Sequence, residues 1–240
     1  MRFDSFSFTG KGGKEYNQDA IGQAEAEKGN VYVVADGLGG HQHGELASQR
    51  AVEFLLSDVE TEERSAWLLD RLEAANEEIM ELQKERGTVK TTVAVLAIDE
   101  DRAAWGHVGD TRIYYLHNDA IESVTEDHSV AYMKYRAGEI TRDQIGTDED
   151  QPSLLRALGN KERHKAVIAA PEHPVEPGDA FLMCTDGVWV YLQDEEVLVD
   201  YLKAATAREW AELLLLRVME RIKEGNDNLS LITVMVSEDE

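Results

Sequence analysis

The chain has 240 residues, 48 acidic against 24 basic side chains, a formal charge of −24, one cysteine and 42% apolar content, a balance that excludes disordered and fibrous classes. Its field repels polyphosphate backbones and anionic lipid, so neither nucleic acid nor a membrane surface is an expected partner. Cys184 alone can form no intrachain disulfide and no cysteine-rich zinc site, which suits a reducing compartment.

The apolar runs fall far below the roughly 18 residues that span a bilayer, and Asp4 follows the only positive charge of the N-terminal stretch, which is no secretory leader. A cytoplasmic protein is expected. With four prolines and no Ser/Gly-rich tract, residues 1–240 read as a single domain acting as a monomer. In chain order, β-rich runs predict strands at Val31 to Ala35, Thr91 to Ile98, Ala103 to Val108, Arg112 to Leu116, Lys165 to Ala169, Ala180 to Cys184 and Leu229 to Val236. The close spacing between Thr91 and Val124 favours antiparallel pairing over crossovers. A first helix is expected from about Gly44 to Leu56. A second follows a capping box of Ser57 and Glu60, carries Leu68, Leu72, Ala75, Ile79 and Leu82 on one face, and stops at Gly87. A third follows Thr206 and Glu209, with Gly225 as its C-terminal cap. Between them, residues 129–155 are polar and predict a partly helical excursion ending in Asp148-Glu149-Asp150.

Twice a hydrophobic run stops at Asp-Gly, at Asp36-Gly37 and at Asp186-Gly187. Such a pair is most often a hairpin turn, but the Gly-rich, polar stretch after Gly37 cannot be the returning strand of a tight hairpin. A carboxylate at a strand end, followed by a glycine whose carbonyl can turn inward, supplies oxygen ligands to a hard cation. Asp110 and Asp227 also stand at strand edges, and Asp19 is a fifth candidate. If these acids converge, their repulsion demands cations, and oxygen-only ligation points to Mg²⁺ or Mn²⁺ rather than zinc.

Several motifs occur in a fixed order: Asn17-Gln18-Asp19-Ala20, Asp36-Gly37-Leu38-Gly39-Gly40-His41, Thr91-Thr92, Gly109-Asp110-Thr111-Arg112, Thr125-Glu126-Asp127-His128-Ser129, Arg156-Ala157-Leu158-Gly159, Cys184-Thr185-Asp186-Gly187 and Asp227-Asn228. Through them the chain resembles, over essentially its whole length, the metal-dependent PP2C-like protein phosphatases of the bacterial branch. The resemblance implies an α+β fold, a four-layer α-β-β-α sandwich of two stacked antiparallel sheets flanked by helix pairs. It implies Mg²⁺- or Mn²⁺-dependent hydrolysis of phosphoserine and phosphothreonine in proteins by a metal-bridging hydroxide. By the same resemblance Asp36 bridges two ions, the Gly37 carbonyl holds one, Asp186 and Asp227 complete the other, and Asp19 acts mostly through metal-bound water. Asp110 with Asp186 matches a third, weaker site. Substrates would be phosphoproteins made by a cognate Ser/Thr kinase. The alternatives are a catalytically silent sensor or scaffold of the same fold, or a hydrolase of small phosphoesters.

His41 is the candidate proton donor to the leaving alkoxide. Where the family commonly has arginine, five residues before Asp19, this chain has Lys14, which keeps the charge and loses the two-pronged grip. Lys14 is expected to bind phosphate as a point charge. The excursion at 129–155 corresponds to the family's flap, and Glu139, Asp143, Asp148, Glu149 and Asp150 would form an acidic rim that draws basic phosphopeptides.

Overall fold

The computed structural model describes residues 1–26, 29–39, 43–57, 59, 64–162, 165–168 and 172–238. The chain runs through β1 (Arg2–Gly10), β2 (Asp19–Ala26), β3 (Gly29–Leu38), α1 (Gly44–Leu56), α2 (Arg64–Arg86), β4 (Lys90–Thr91), β5 (Val93–Ile98), β6 (Arg102–Val108), β7 (Arg112–His117) and β8 (Ala120–Val124). It continues through α3 (Val130–Ala137), a 3₁₀ segment (Arg142–Thr147), β9 (Val167–Ile168), β10 (His173–Pro174), β11 (Ala180–Cys184), α4 (Asp186–Trp189), α5 (Asp194–Lys203), α6 (Ala207–Arg221) and β12 (Leu229–Ser237).

Two antiparallel sheets stack face to face. One has the order β1-β12-β11-β7-β8; the other runs β10-β6-β5-β3-β2, with β4 added to β3 and β9 to β6. The period-2 alternation of a strand explains the three apolar layers. Val31 and Val33 face α1 and α2, where Leu55, Leu68, Leu72 and Ile79 are fully buried. Tyr32 and Val34 point the other way, into the space between the sheets, and meet Phe181, Met183, Ile232 and Val234. On the far side Leu182 and Leu231 pack under Trp210, Leu214 and Val218 of α6. The central strands are therefore covered on both faces, which is why they read as continuous apolar runs despite antiparallel pairing.

Several boundaries differ from expectation. The strand foreseen over Thr91 to Ile98 breaks at Thr92, whose N–H donates to Asp36 O at 2.9 Å and whose Oγ1 accepts from Asp36 N at 3.2 Å, so one residue leaves the ladder to clamp the end of β3. Ser57 does not start α2. It closes α1, its hydroxyl donating to Phe54 O at 2.7 Å, and Glu60 lies outside the described residues. Helix α6 ends at Arg221, and Gly225, with φ 78°, serves the turn before Asp227 rather than a helix cap. Of the strand foreseen at Lys165 to Ala169 only Val167–Ile168 forms, and Ala169 lies outside the described residues. Four outer strands, β1, β2, β8 and β10, escaped the sequence reading because half-exposed edges carry weak apolar patterning. Among the described residues no helix is long and apolar enough to cross a membrane.

Candidate metal centre

Strands β2 and β3 are antiparallel neighbours in a register that sets Asp19 directly opposite Asp36. The end of β3 is held by close backbone contact: Gly37 N donates to Gln18 O at 3.1 Å, and a Cβ on Gly37 would collide with the carbonyl oxygen of Gly44 at the start of α1. The second Asp-Gly repeats the device. Strand β11 ends at Cys184, Thr185 precedes α4, and a Cβ on Gly187 would collide with the carbonyl oxygen of Asn228. Neither pair is a hairpin turn. In each, the glycine lets a second backbone approach, and the aspartate beside it is carried to the same end of the sheets.

The fields of these aspartates overlap at this end of the sheets. Burial, then the charges of Asp19, Asp186, Asp110 and Asp227, push the Asp36 carboxyl well above its usual range. Burial pushes Asp19 up to about 7, against the Thr185 and Ser230 hydroxyls that favour its charged form; Asp186 and Asp227 add to the rise. Thr185 Oγ1 donates to Asp19 Oδ2 at 3.0 Å. Asp110, buried, is raised by desolvation and by Asp186. Asp186 is raised by burial and by Asp227, while a hydrogen bond from Gln151 holds it down.

Among the described residues no three Asp, Glu, His or Cys side chains stand close enough to form a finished coordination shell; what the aspartates share is their field. The donor chemistry nevertheless fits a hard divalent cation. Every side-chain donor is a carboxylate, and like charges that raise one another are what such an ion relieves.

Lys14 is brought in by Asn228. The Asn228 Oδ1 accepts from Gln18 N at 2.8 Å, and its Nδ2 donates to Lys11 O at 2.9 Å and Tyr16 O at 3.0 Å, clipping the 11–18 loop to the start of β12. Lys14 Nζ then sits 2.9 Å from Asp227 Oδ2. Without a bound phosphate the ammonium pairs with a candidate metal ligand, which raises its pKa; the fields of Asp186 and Asp36 add to that. Beside it a cavity of about 380 Å³ is lined by Tyr16, Gly39, His43 and Glu45. His41 lies outside the described residues.

Asp110 is anchored from behind: Trp189 Nε1 donates to its carbonyl at 2.9 Å, and Arg112, stacked 3.6 Å from the Trp189 ring, forms a two-pronged pair with buried Asp127 at 2.8 and 2.7 Å. On its open side the Nε2 of Gln151 donates to Asp186 Oδ2 at 3.0 Å and to Asp110 Oδ2 at 3.4 Å. Sequence reasoning missed Gln151, since a lone glutamine in a polar stretch carries no signal. Some of the flap acids around it have partners within the flap. Lys134 pairs with Asp148 at 2.9 Å and Asp150 at 2.7 Å, and the Thr141 hydroxyl donates to Asp143 at 2.5 Å, so three of the five rim acids are engaged within the flap. Glu139, Asp143 and Glu149 remain exposed.

Comparison with known proteins follows the same lines. The family described as Protein phosphatase 2C matches residues 12–214. The serine/threonine phosphatase Stp of Listeria innocua is 30% identical over 233 residues, covering 92% of this chain and 90% of its own. The crystal structure of Stp1 from Staphylococcus aureus superposes with a TM-score of 0.89 at 23% identity, over 99% of this chain and 96% of its own. The catalytic domain of the phosphatase PstP, solved in complex with two manganese ions, does so with a TM-score of 0.81 at 24% identity, over 98% and 99%.

Proposed function

Since the chain belongs to the protein phosphatase 2C family, we propose that it hydrolyses phosphoserine and phosphothreonine in proteins with the aid of two Mg²⁺ or Mn²⁺ ions. What supports this is that Asp19, Asp36, Asp110 and Asp186, from separate strand ends, are each raised by burial and by the charge of another of these acids or of Asp227. Asp36, opposite Asp19, would hold both ions together with the Gly37 carbonyl, and Asp186 and Asp227 would complete the set. When bound, the ions make water a competent nucleophile near neutral pH and offset charge on the phosphoryl oxygens.

The chain's own residues supply the rest. Asp19 is locked by Thr185, so the carboxylate pair across β2 and β3 keeps its orientation. Lys14, held protonated beside Asp227, would offer a side-chain positive charge to a phosphoryl group at the mouth of the site. Substrates are phosphoproteins, the products of a serine/threonine kinase.

One assay tests the reading: hydrolysis of an aryl phosphate and of a phosphothreonine peptide with Mn²⁺, with EDTA, and in Asp186→Asn. Manganese-dependent turnover lost under both treatments is expected. Turnover untouched by chelation would sink the two-metal reading, and a folded but inert protein would favour a scaffold.

A further inference from the structure

A cavity of about 680 Å³ opens where the two sheets end, between β8 of one and β6 with β9 and β10 of the other, and none of the five aspartates lines it. Its size is that of a small-molecule site. The Trp105 ring stacks on His173 at 4.6 Å, and the rings of His107 and His128 lie 4.5 Å apart with 9° between their planes. Met133 and Val167, both exposed, form an apolar rim. Two polar groups converge on this wall. His128 is more than nine-tenths buried, and its Nδ1 accepts from Gly109 N at 3.0 Å. Burial, with His107 and Arg156 beside it, pulls the His128 imidazole down to about 3, so the ring is neutral and its single proton stands on Nε2. What Nε2 meets, at 3.3 Å, is Arg156 Nη1, which is also a donor. Two N–H groups therefore face one another with no acceptor between them. Arg156 Nη1 is held there by donating to Lys165 O at 3.2 Å, and among the described residues no carboxylate pairs with this guanidinium. Of the acids around the cavity, Asp127 is engaged by Arg112 and Glu126 by Arg136, while Glu122 is exposed to solvent.

We infer that this cavity binds a small aromatic acid, its anionic oxygen accepting from His128 Nε2 and Arg156 Nη1 and its ring lying along the stacked side chains. An anion supplies the acceptor that both donors lack, and hydrogen bonds to a charged group are about twice as strong as neutral ones. The walls set the body of the ligand: flat rings and an apolar rim favour an aromatic skeleton over a polar one. The site stands apart from the metal-dependent reading, since none of the residues that build it is a candidate metal ligand.

The experiment is calorimetric titration of the full chain with 1-naphthoate and with 1-naphthamide, its neutral counterpart, in Mn²⁺ and again in EDTA. Naphthoate should bind in both media, and naphthamide at least about tenfold more weakly. Arg156→Gln and His128→Asn should each weaken naphthoate about tenfold, the scale of one hydrogen bond to a charged group, and leave naphthamide unchanged. Asparagine can still accept from Gly109 N, so that variant loses only the Nε2 donor. Val167→Trp, at the exposed rim, should weaken both probes by filling the mouth. Equal naphthoate affinity in wild type, Arg156→Gln and His128→Asn would overturn the proposal. So would binding seen in Mn²⁺ alone, which would put the acid on metal ions at the aspartates. Failure of wild type to bind naphthoate would overturn it too, and an Arg156-dependent uptake of an acidic peptide in its place would reassign the cavity to a protein carboxylate. None of these outcomes bears on the two-metal reading, which the chelation assay decides.

Discussion

Two acidic neighbourhoods of this protein have opposite electrostatics. On α5, Glu196 and Asp200 lie one turn apart and face Arg217 and Arg221, also one turn apart on α6. Asp200 accepts from Arg217 at 2.5 and 2.8 Å, and Glu196 accepts from Arg221 at 2.5 and 2.6 Å and from Arg217 at 3.1 Å. The Arg221 hydrogen bond, with Arg217 beyond it, holds the Glu196 carboxyl down to about 2. At the strand ends, Asp19, Asp36, Asp110 and Asp186 are pushed up by burial and by neighbouring carboxylates, Asp19 to about 7, and Lys14, paired with Asp227, is the cation whose charge reaches Asp186 and Asp36. Acids folded for structure bring their counter-charges in the same chain. Those at the strand ends are short of counter-charge, and that shortfall is what an external cation would meet.

The largest expected effect separates the two regions by activity. Asp36→Asn should lower kcat/KM for a phosphothreonine peptide by at least about a hundredfold, beyond what loss of an outer partner costs. The same substitution should raise the melting temperature of the chelated protein by roughly 2–4 °C, because it removes a like charge without changing shape. A loss of activity with no gain in melting temperature would break the claim that the group is uncompensated.

In the helical layer the signs invert. Arg217→Ala leaves buried Asp200 without its fork and should lower the melting temperature by roughly 5 °C, with the Mn²⁺ dependence of turnover unchanged. A shift in metal dependence instead would mean that the two regions are coupled.

pH sharpens the contrast. The folded-state pKa of Asp19, about 7, exceeds its ordinary 3.8, so the folded chain binds more protons than the unfolded one in that window. Stability of the chelated protein should fall as pH rises through it, with Asp36, Asp110 and Asp186 adding in the same direction. Saturating Mn²⁺ should flatten that slope. Glu196 acts oppositely: its contribution is present above 4.5 and lost as pH falls toward about 2. Chemical denaturation across pH, with and without Mn²⁺, measures both slopes.

The smallest effect concerns Lys14. Restoring the fork with Lys14→Arg should lower KM for the phosphopeptide by about threefold, and Lys14→Ala should raise it by a similar factor. If both leave KM unchanged, Lys14 serves Asp227 alone.

Much of this was legible in the residues. The apolar runs of β3, β5, β6, β7, β11 and β12, and the four-and-three spacing from Leu68 to Leu82, are local periodicities that burial selects directly. The Asp-Gly pairs were readable too, because a strand stopping at a carboxylate and a glycine is a local feature. What the chain alone determined is therefore the layered fold and the identity of the acids. Tertiary structure decided which groups meet them. Lys14 reaches Asp227 across 213 residues, and Gln151 reaches Asp186 from a flap whose acidic run looked like a surface rim. Such contacts depend on sheet register and on turns closed by distant partners such as Asn228 and Lys134, and side-chain spacing within one segment carries no record of either.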